Sequence, residues 1–189
     1  MFVIVDESHE LRREVELSIS RLFDREHGAS LAVFPPTLVA WLAGGEVAAA
    51  ASVRFAAEGF FSECYLDAPV EHLIGRKAGL AVGRSEVVEV GSLAAPHPGA
   101  TLALVAAIIA SCHEAGCRWA FFTATARLRA LLRRSGILQI ELAAAAPDRV
   151  ASPEAWGRYY LGDPRVVAVG AHMLGGRCAL PAAVAASHA

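Results

Sequence analysis

Glu89 lies between Val88 and Val90 in the β-branched run 86–94, EVVEVGSLA. A carboxylate desolvated inside an apolar strand has its pKa raised toward the range of a general base. Strict alternation puts Glu86 on the opposite face unless a bulge intervenes at Gly91. The alternative for Glu89 is an edge-strand position that meets solvent or pairs with an arginine. A second group, the acids Glu63, Asp67 and Glu71 with Tyr65 in the stretch FFSECYLDAPVE (60–71), would favour a cationic or amino ligand, because carboxylates beside a cleft stabilise ammonium groups. The same stretch also reads as a solvated loop anchored by Phe60, Phe61 and Tyr65.

Residues 95–101 run Ala-Pro-His-Pro-Gly-Ala-Thr into a helix, and free N–H groups at a helix start bind phosphate. Pro and Gly alone equally predict a plain strand-to-helix turn. Arg127, Arg129, Arg133 and Arg134 give one helix a basic face, read either as a solvated surface or as a contact for phosphate or an acidic carrier protein. The seven histidines form no HxxxH or HxxE pair, and the four cysteines no CxxC. No metal is expected, and free thiols are.

These residues need elements to hold them. Leu11, Val15, Ile19, Leu22 and Phe23 recur at helical spacing over residues 10–25. Two β-type runs, 38–43 and 46–55, flank Gly44-Gly45, which predicts a primed-turn hairpin. Pro69 could open a short helix at Val70. Then come a strand over 86–94, a helix over 101–115 closed by Gly116, and a strand over 118–124. A helix over 126–135 has Thr125 as N-cap and Gly136 as its stop, and a strand follows over 138–143. A short helix is expected over 153–160 and a last strand over 165–171, before an alanine-rich tail, poorly ordered after about 178. Antiparallel strands followed by crossover units predict an α/β (α+β) sheet of mixed direction, in one domain over 1–189.

Composition removes several classes of function. The formal net charge of −2 and pI near 6.4 lack the basic field of nonspecific nucleic-acid binding. Mean hydropathy is +0.43, but alanine supplies much of it. The longest strongly apolar stretch, 102–112, falls short of the about 20 residues a membrane span needs. Met1 to Val5 gives way at once to Asp6 and Glu7, unlike a secretory signal, so a cytoplasmic location is expected.

The motifs FFSECYLDAPVE, VVEVGSLA, RWAFFTATARLR with its following Gly136, and WGRYY resemble the thermostable hemolysin family. That family in turn is similar to GNAT acyltransferases, in particular acyl-homoserine-lactone synthases. The resemblance implies a GNAT-like mixed central sheet flanked by helices. It also implies an N-acyltransferase that moves an acyl group, fatty by expectation, from acyl-CoA or an acyl carrier protein to a small amine or amino acid. Acyl-CoA or acyl-phosphopantetheine would be the co-substrate, with no tightly bound cofactor. Glu89 aligns with the glutamate of the central strand. The lactone synthases have an arginine three residues on, where this chain has Ser92.

On this resemblance the backbone of Gly91, Ser92, Leu93 and Ala94 would pair with pantetheine amides and face the developing oxyanion. His97, Gly99, Ala100 and Thr101 would meet the phosphates, as a degenerate form of the Arg/Gln-x-x-Gly-x-Gly/Ala pattern. The tyrosine that many such enzymes use as an acid is replaced by Leu132, leaving Tyr159 or Tyr160 only if the C-terminal strand folds over the site. Phe121 and Phe122 alternate across their strand, and Phe122 is the candidate contact for an acyl tail. A membrane-active protein and a non-catalytic binding module are the competing readings. Lysis has no mechanism in a chain without a span, a cationic amphipathic helix or a pore's repeated strands.

Overall fold

The apolar spacing near the N-terminus forms helix α1, Arg12–His27, which buries Val15, Ile19 and Phe23 and stops at Gly28 in the left-handed conformation (φ 66°). The computed structural model describes residues 1–173, and the alanine-rich tail lies outside the described residues. Strands β2, Thr37–Ala43, and β3, Glu46–Phe55, form the expected hairpin. Gly44 and Gly45 turn it with φ of 62° and 88°, as a primed turn requires. Ahead of them β1, Phe2–Val5, pairs antiparallel with β2 from Phe2↔Trp41 to Val5↔Leu38. Four residues are too few for a period-2 pattern to show, so β1 was not foreseen.

The stretch read as an aperiodic loop is a 3-10 turn, Phe61–Tyr65, leading to helix α2, Val70–Ala78, whose Val70 and Ile74 are buried. The remaining elements are β4, Val87–Ala94; α3, Pro98–Glu114; β5, Trp119–Ala124; α4, Ala126–Arg134; β6, Ile140–Ala144; and β7, Arg165–Gly170. The Thr125 hydroxyl caps α4 by accepting from Leu128 N. The helix expected over 153–160 is instead two 3-10 turns, Pro153–Trp156 and Tyr159–Gly162, separated at Gly157.

The seven strands form one mixed sheet, order β1-β2-β3-β4-β5-β7-β6. β4 and β5 are parallel and the other pairs antiparallel. The α3 crossover makes that parallel pair, as a parallel connection requires. The last strand slots between β5 and β6, a placement that chain order does not reveal. Helices α1 and α2 pack on one face, where Ile19, Phe23, Val70 and Ile74 are buried. Helices α3 and α4 cover the other, with Leu104, Ile108 and Leu132.

Two irregularities in β4 shape the centre of the sheet. Against β3 the register runs Ser52↔Gly91 and then Ala50↔Ala94, which leaves one extra residue on β4. That bulge follows Gly91, with Ser92 at φ 47°, a costly conformation for a residue other than glycine. Against β5, pairing covers Val87↔Trp119, Val88↔Ala120 and Glu89↔Phe121. β4 continues to Ala94 and β5 to Ala124 beyond this last pair, so the two strands part at Glu89.

Candidate functional site

A cavity of about 800 Å³ opens at this fork. Its walls include Glu89, Val90, Gly91, Ser92 and Leu93 of β4 and Phe122 and Thr123 of β5. Side chains alternate across a strand, so the cavity has two arms of different character. On the α1 face, Ser52, Arg54, Phe61, Ser62, Tyr65 and Glu89 line it. On the α3/α4 face the lining is largely apolar, with Val105, Ile108, Phe122, Leu128, Leu131 and Leu132.

Glu89 sits where the arms meet and is 2% exposed. Its carboxylate accepts from the backbone N–H of Phe61 (2.6 Å) and of Ser62 (2.8 Å). Burial pushes its pKa up, opposed by hydrogen bonds from the Ser62 hydroxyl and these two N–H groups and by the Arg54 charge. Thr123 Oγ1 donates to Ser62 Oγ at 3.0 Å, so a hydroxyl chain from β5 supports the carboxylate.

Around this group stands an aromatic cluster. Phe61 lies 5.7 Å from Trp156 and 6.3 Å from Tyr65 between ring centroids, and Trp156 lies 5.5 Å from Tyr159. The Tyr159 hydroxyl donates to Thr123 O (3.1 Å), and the Tyr65 and Tyr160 hydroxyls share a 2.8 Å hydrogen bond. Burial pushes the Tyr65 and Tyr159 pKa values far up, so both phenols stay protonated. Tyr159 and Tyr65 line the cavity. They are brought there by the 3-10 turns, Phe61–Tyr65 and Tyr159–Gly162, rather than by folding over of the C-terminal strand. His27 at the end of α1 also lines it, with its pKa lowered chiefly by burial.

The structure brings together Glu89, Gly91, Ser92, Leu93, His97, Thr101, Tyr65 and Phe122 around one cavity. Ala94 packs instead in the core under α1. Gly99 and Ala100 lie in the first turn of α3 and do not line the cavity, while His97 stands at the N-cap without a side-chain capping bond. Glu63 and Asp67 are placed elsewhere. Glu63 accepts from Arg84 Nη1 (2.7 Å), Arg84 Nη2 (2.8 Å) and Val70 N (3.0 Å), which hold its carboxyl below the usual range. Glu71 joins the same arginine at 3.0 Å, and Asp67 pairs with Arg149. These acids tie α2 and its approach to neighbouring segments, and none of the three lines the cavity. Their partners are distant in sequence, which is why spacing did not reveal them.

Arg129 is also structural, donating to Ala124 O and Asp163 O and pairing with Asp163. Arg127 and Arg134 reach the cavity rim. Spacing missed Arg54, Ser62, Thr123 and Trp156. The available signal for Arg54 was a charge near the end of the otherwise apolar run AAAASVRF, two residues from Ser52 and on the same face. Among the described residues no group of three or more His, Cys, Asp and Glu could hold a metal, and no helix is long and apolar enough to cross a membrane.

The family model for thermostable hemolysin matches residues 5–173, nearly all that the structure describes. The chain belongs to the thermostable hemolysin family. No curated protein matches it in sequence. Among solved structures, TofI in a ternary complex with an inhibitor and MTA is similar at a TM-score of 0.64 and 14% identity, over 95% of this chain and 97% of that one. The AHL synthase LasI gives 0.61 and 9%, over 93% and 95%. FeeM, an N-acyl amino acid synthase from uncultured soil microbes, gives 0.58 and 15%, over 89% of each chain. At such identities the likeness is one of fold, and this thermostable hemolysin family member has the GNAT-like mixed sheet flanked by helices.

Proposed function

We propose that this protein is an N-acyltransferase that moves an acyl group, fatty by preference, from acyl-CoA or an acyl-phosphopantetheine carrier to the amine of a small molecule. The observation that carries this reading is the fork at Glu89. There a buried carboxylate stands where a polar arm and an apolar arm meet, beside strand backbone released from pairing with β5. Glu89 takes a proton from the acceptor ammonium. The freed nitrogen attacks the thioester carbonyl, and the new C–N bond forms as charge develops on oxygen. Past Glu89, β4 no longer pairs with β5, and the backbone N–H groups of its Val90 to Leu93 stretch that are not turned to β3 are the donors available to that oxygen. When the C–S bond breaks, the thiolate takes the second nitrogen proton and leaves as the thiol.

A thiol of ordinary pKa, about 8.5, leaves without a dedicated acid. Leu132 at the position of the usual tyrosine is therefore compatible with turnover. The apolar α3/α4 arm suits an acyl tail, with Phe122 in its wall, and His97 and Thr101 flank the start of α3 where donor phosphates would lie. Such donors place the reaction in the cytoplasm.

Mass spectrometry tests the reading directly. Purified protein, wild type and Glu89→Gln, is incubated with acyl-CoAs and acyl carrier proteins of several chain lengths and a pool of amines and amino acids. The expected result is new N-acyl products whose rate falls on the order of 10²- to 10⁴-fold in the variant. Donors left intact under every condition would sink the proposal.

A further inference from the structure

An amine acceptor alone requires a carboxylate or another base, and the polar arm holds more than that. Arg54 stands directly opposite Glu89 in the β3–β4 register. Opposed residues project from the same face with Cβ atoms about 5 Å apart. Arg54 lines the cavity and is half-buried. Among the described residues, no hydrogen bond or ion pair engages its guanidinium. The two oxygens of Glu89 are turned away to Phe61 N and Ser62 N, so the expected cross-strand ion pair is not made. A half-buried guanidinium that feels the Glu89 charge but donates no hydrogen bond to it keeps its fork open to a ligand, and that fork matches a carboxylate in two parallel bonds.

The other charges facing this arm are already engaged or stand at its mouth. Glu26 pairs with Arg25 at 3.2 Å and Arg127 at 3.8 Å, and the Arg127 side chain is 86% exposed. Beside the Glu89–Arg54 pair stands the aromatic wall of Phe61, Trp156 and Tyr65. Phe61 remains 42% exposed despite its apolar ring.

We infer that the acceptor is an α-amino acid with an apolar or aromatic side chain, its carboxylate held by Arg54, its amine set at Glu89 and its side chain laid against Phe61 and Trp156. This deepens the transfer reading above and rests on it. An α-amino acid carries ammonium and carboxylate on one carbon, which matches two functional groups that leave adjacent strands side by side. The pocket therefore selects against a simple amine by leaving Arg54 unpaired.

Two paired acceptors isolate the carboxylate: phenylalanine against phenethylamine, and leucine against 3-methylbutylamine. Each is offered to wild type, Arg54→Lys and Arg54→Gln with a long-chain acyl-CoA, and phenylalanine binding is followed separately by titration calorimetry. Wild type is expected to prefer the amino acid by on the order of 100-fold or more in kcat/KM. Arg54→Gln is expected to remove most of that preference through a raised KM, with Arg54→Lys in between. Equal or better use of the decarboxylated amines overturns this inference while leaving the acyltransferase intact. Phenylalanine binding that Arg54→Gln abolishes, without turnover, upholds the carboxylate site and sinks the transfer reading. Absence of both binding and turnover overturns both.

Discussion

Glu89 is held between opposed influences. Burial raises its pKa above the ordinary 4.5, and hydrogen bonds from Ser62 and Phe61 together with the Arg54 charge draw it back. In the proposed reaction the ionised form is the base, so the acid limb of kcat/KM should inflect above the ordinary glutamate value. Ser62→Ala removes a hydrogen bond to the charged form, which raises the pKa further and moves that limb to higher pH. A pH–rate profile of both proteins checks this, and an unshifted limb would deny Ser62 a part in holding the carboxylate. Stability has the opposite sign from activity. Between 4.5 and the raised folded value the native state binds the extra proton, so this group's contribution to stability falls as pH rises through that window. The isolation of Glu89 between valines was readable in the sequence. The neutralisation of Glu63 by Arg84 was not, because it joins residues from separate elements.

At the scale of elements, the 3-10 turns after β6 press against the end of α1. Arg158 N donates to His27 O (2.7 Å) and Ser30 N to Ala155 O (2.8 Å). Gly157 makes this approach possible. A Cβ there would lie 2.3 Å from His27 O and 2.6 Å from Gly28 O, and its φ of 53° already disfavours a side chain. Gly157→Ala is expected to cost roughly 2–4 kcal/mol, seen as a lower urea midpoint at unchanged slope. An unaltered midpoint would mean that the segment carrying Trp156 and Tyr159 is not held against α1. Gly44-Gly45 and the Thr125 cap were legible because a turn and a cap are local chemistry. Residues 153–160 were misread as one helix because the break at Gly157 answers to the backbone of α1.

The whole molecule places unlike environments on opposite faces of one sheet and joins them where β4 leaves β5. Val105 lines the apolar arm and packs with Phe122 and Leu128 against Leu132, Ile137 and Val169. Val105→Trp adds bulk to that arm. The ratio of kcat/KM for a long-chain donor to that for acetyl-CoA should fall about 10-fold or more, measured by competition between the two donors. An unchanged ratio would place the acyl chain elsewhere. From the sequence alone came most elements, the mixed α/β class, the carboxylate at Glu89 and the family resemblance, because periodicity, turn chemistry and short motifs are written within a few residues. Only the tertiary structure decided that β7 enters between β5 and β6, that the fork falls at Glu89, that α2's acids are tied to Arg84, and that Arg54 stands beside Glu89. Each of these depends on which distant segments become neighbours. That choice is made by the shared burial of faces across the whole sheet, and no local stretch of residues encodes it.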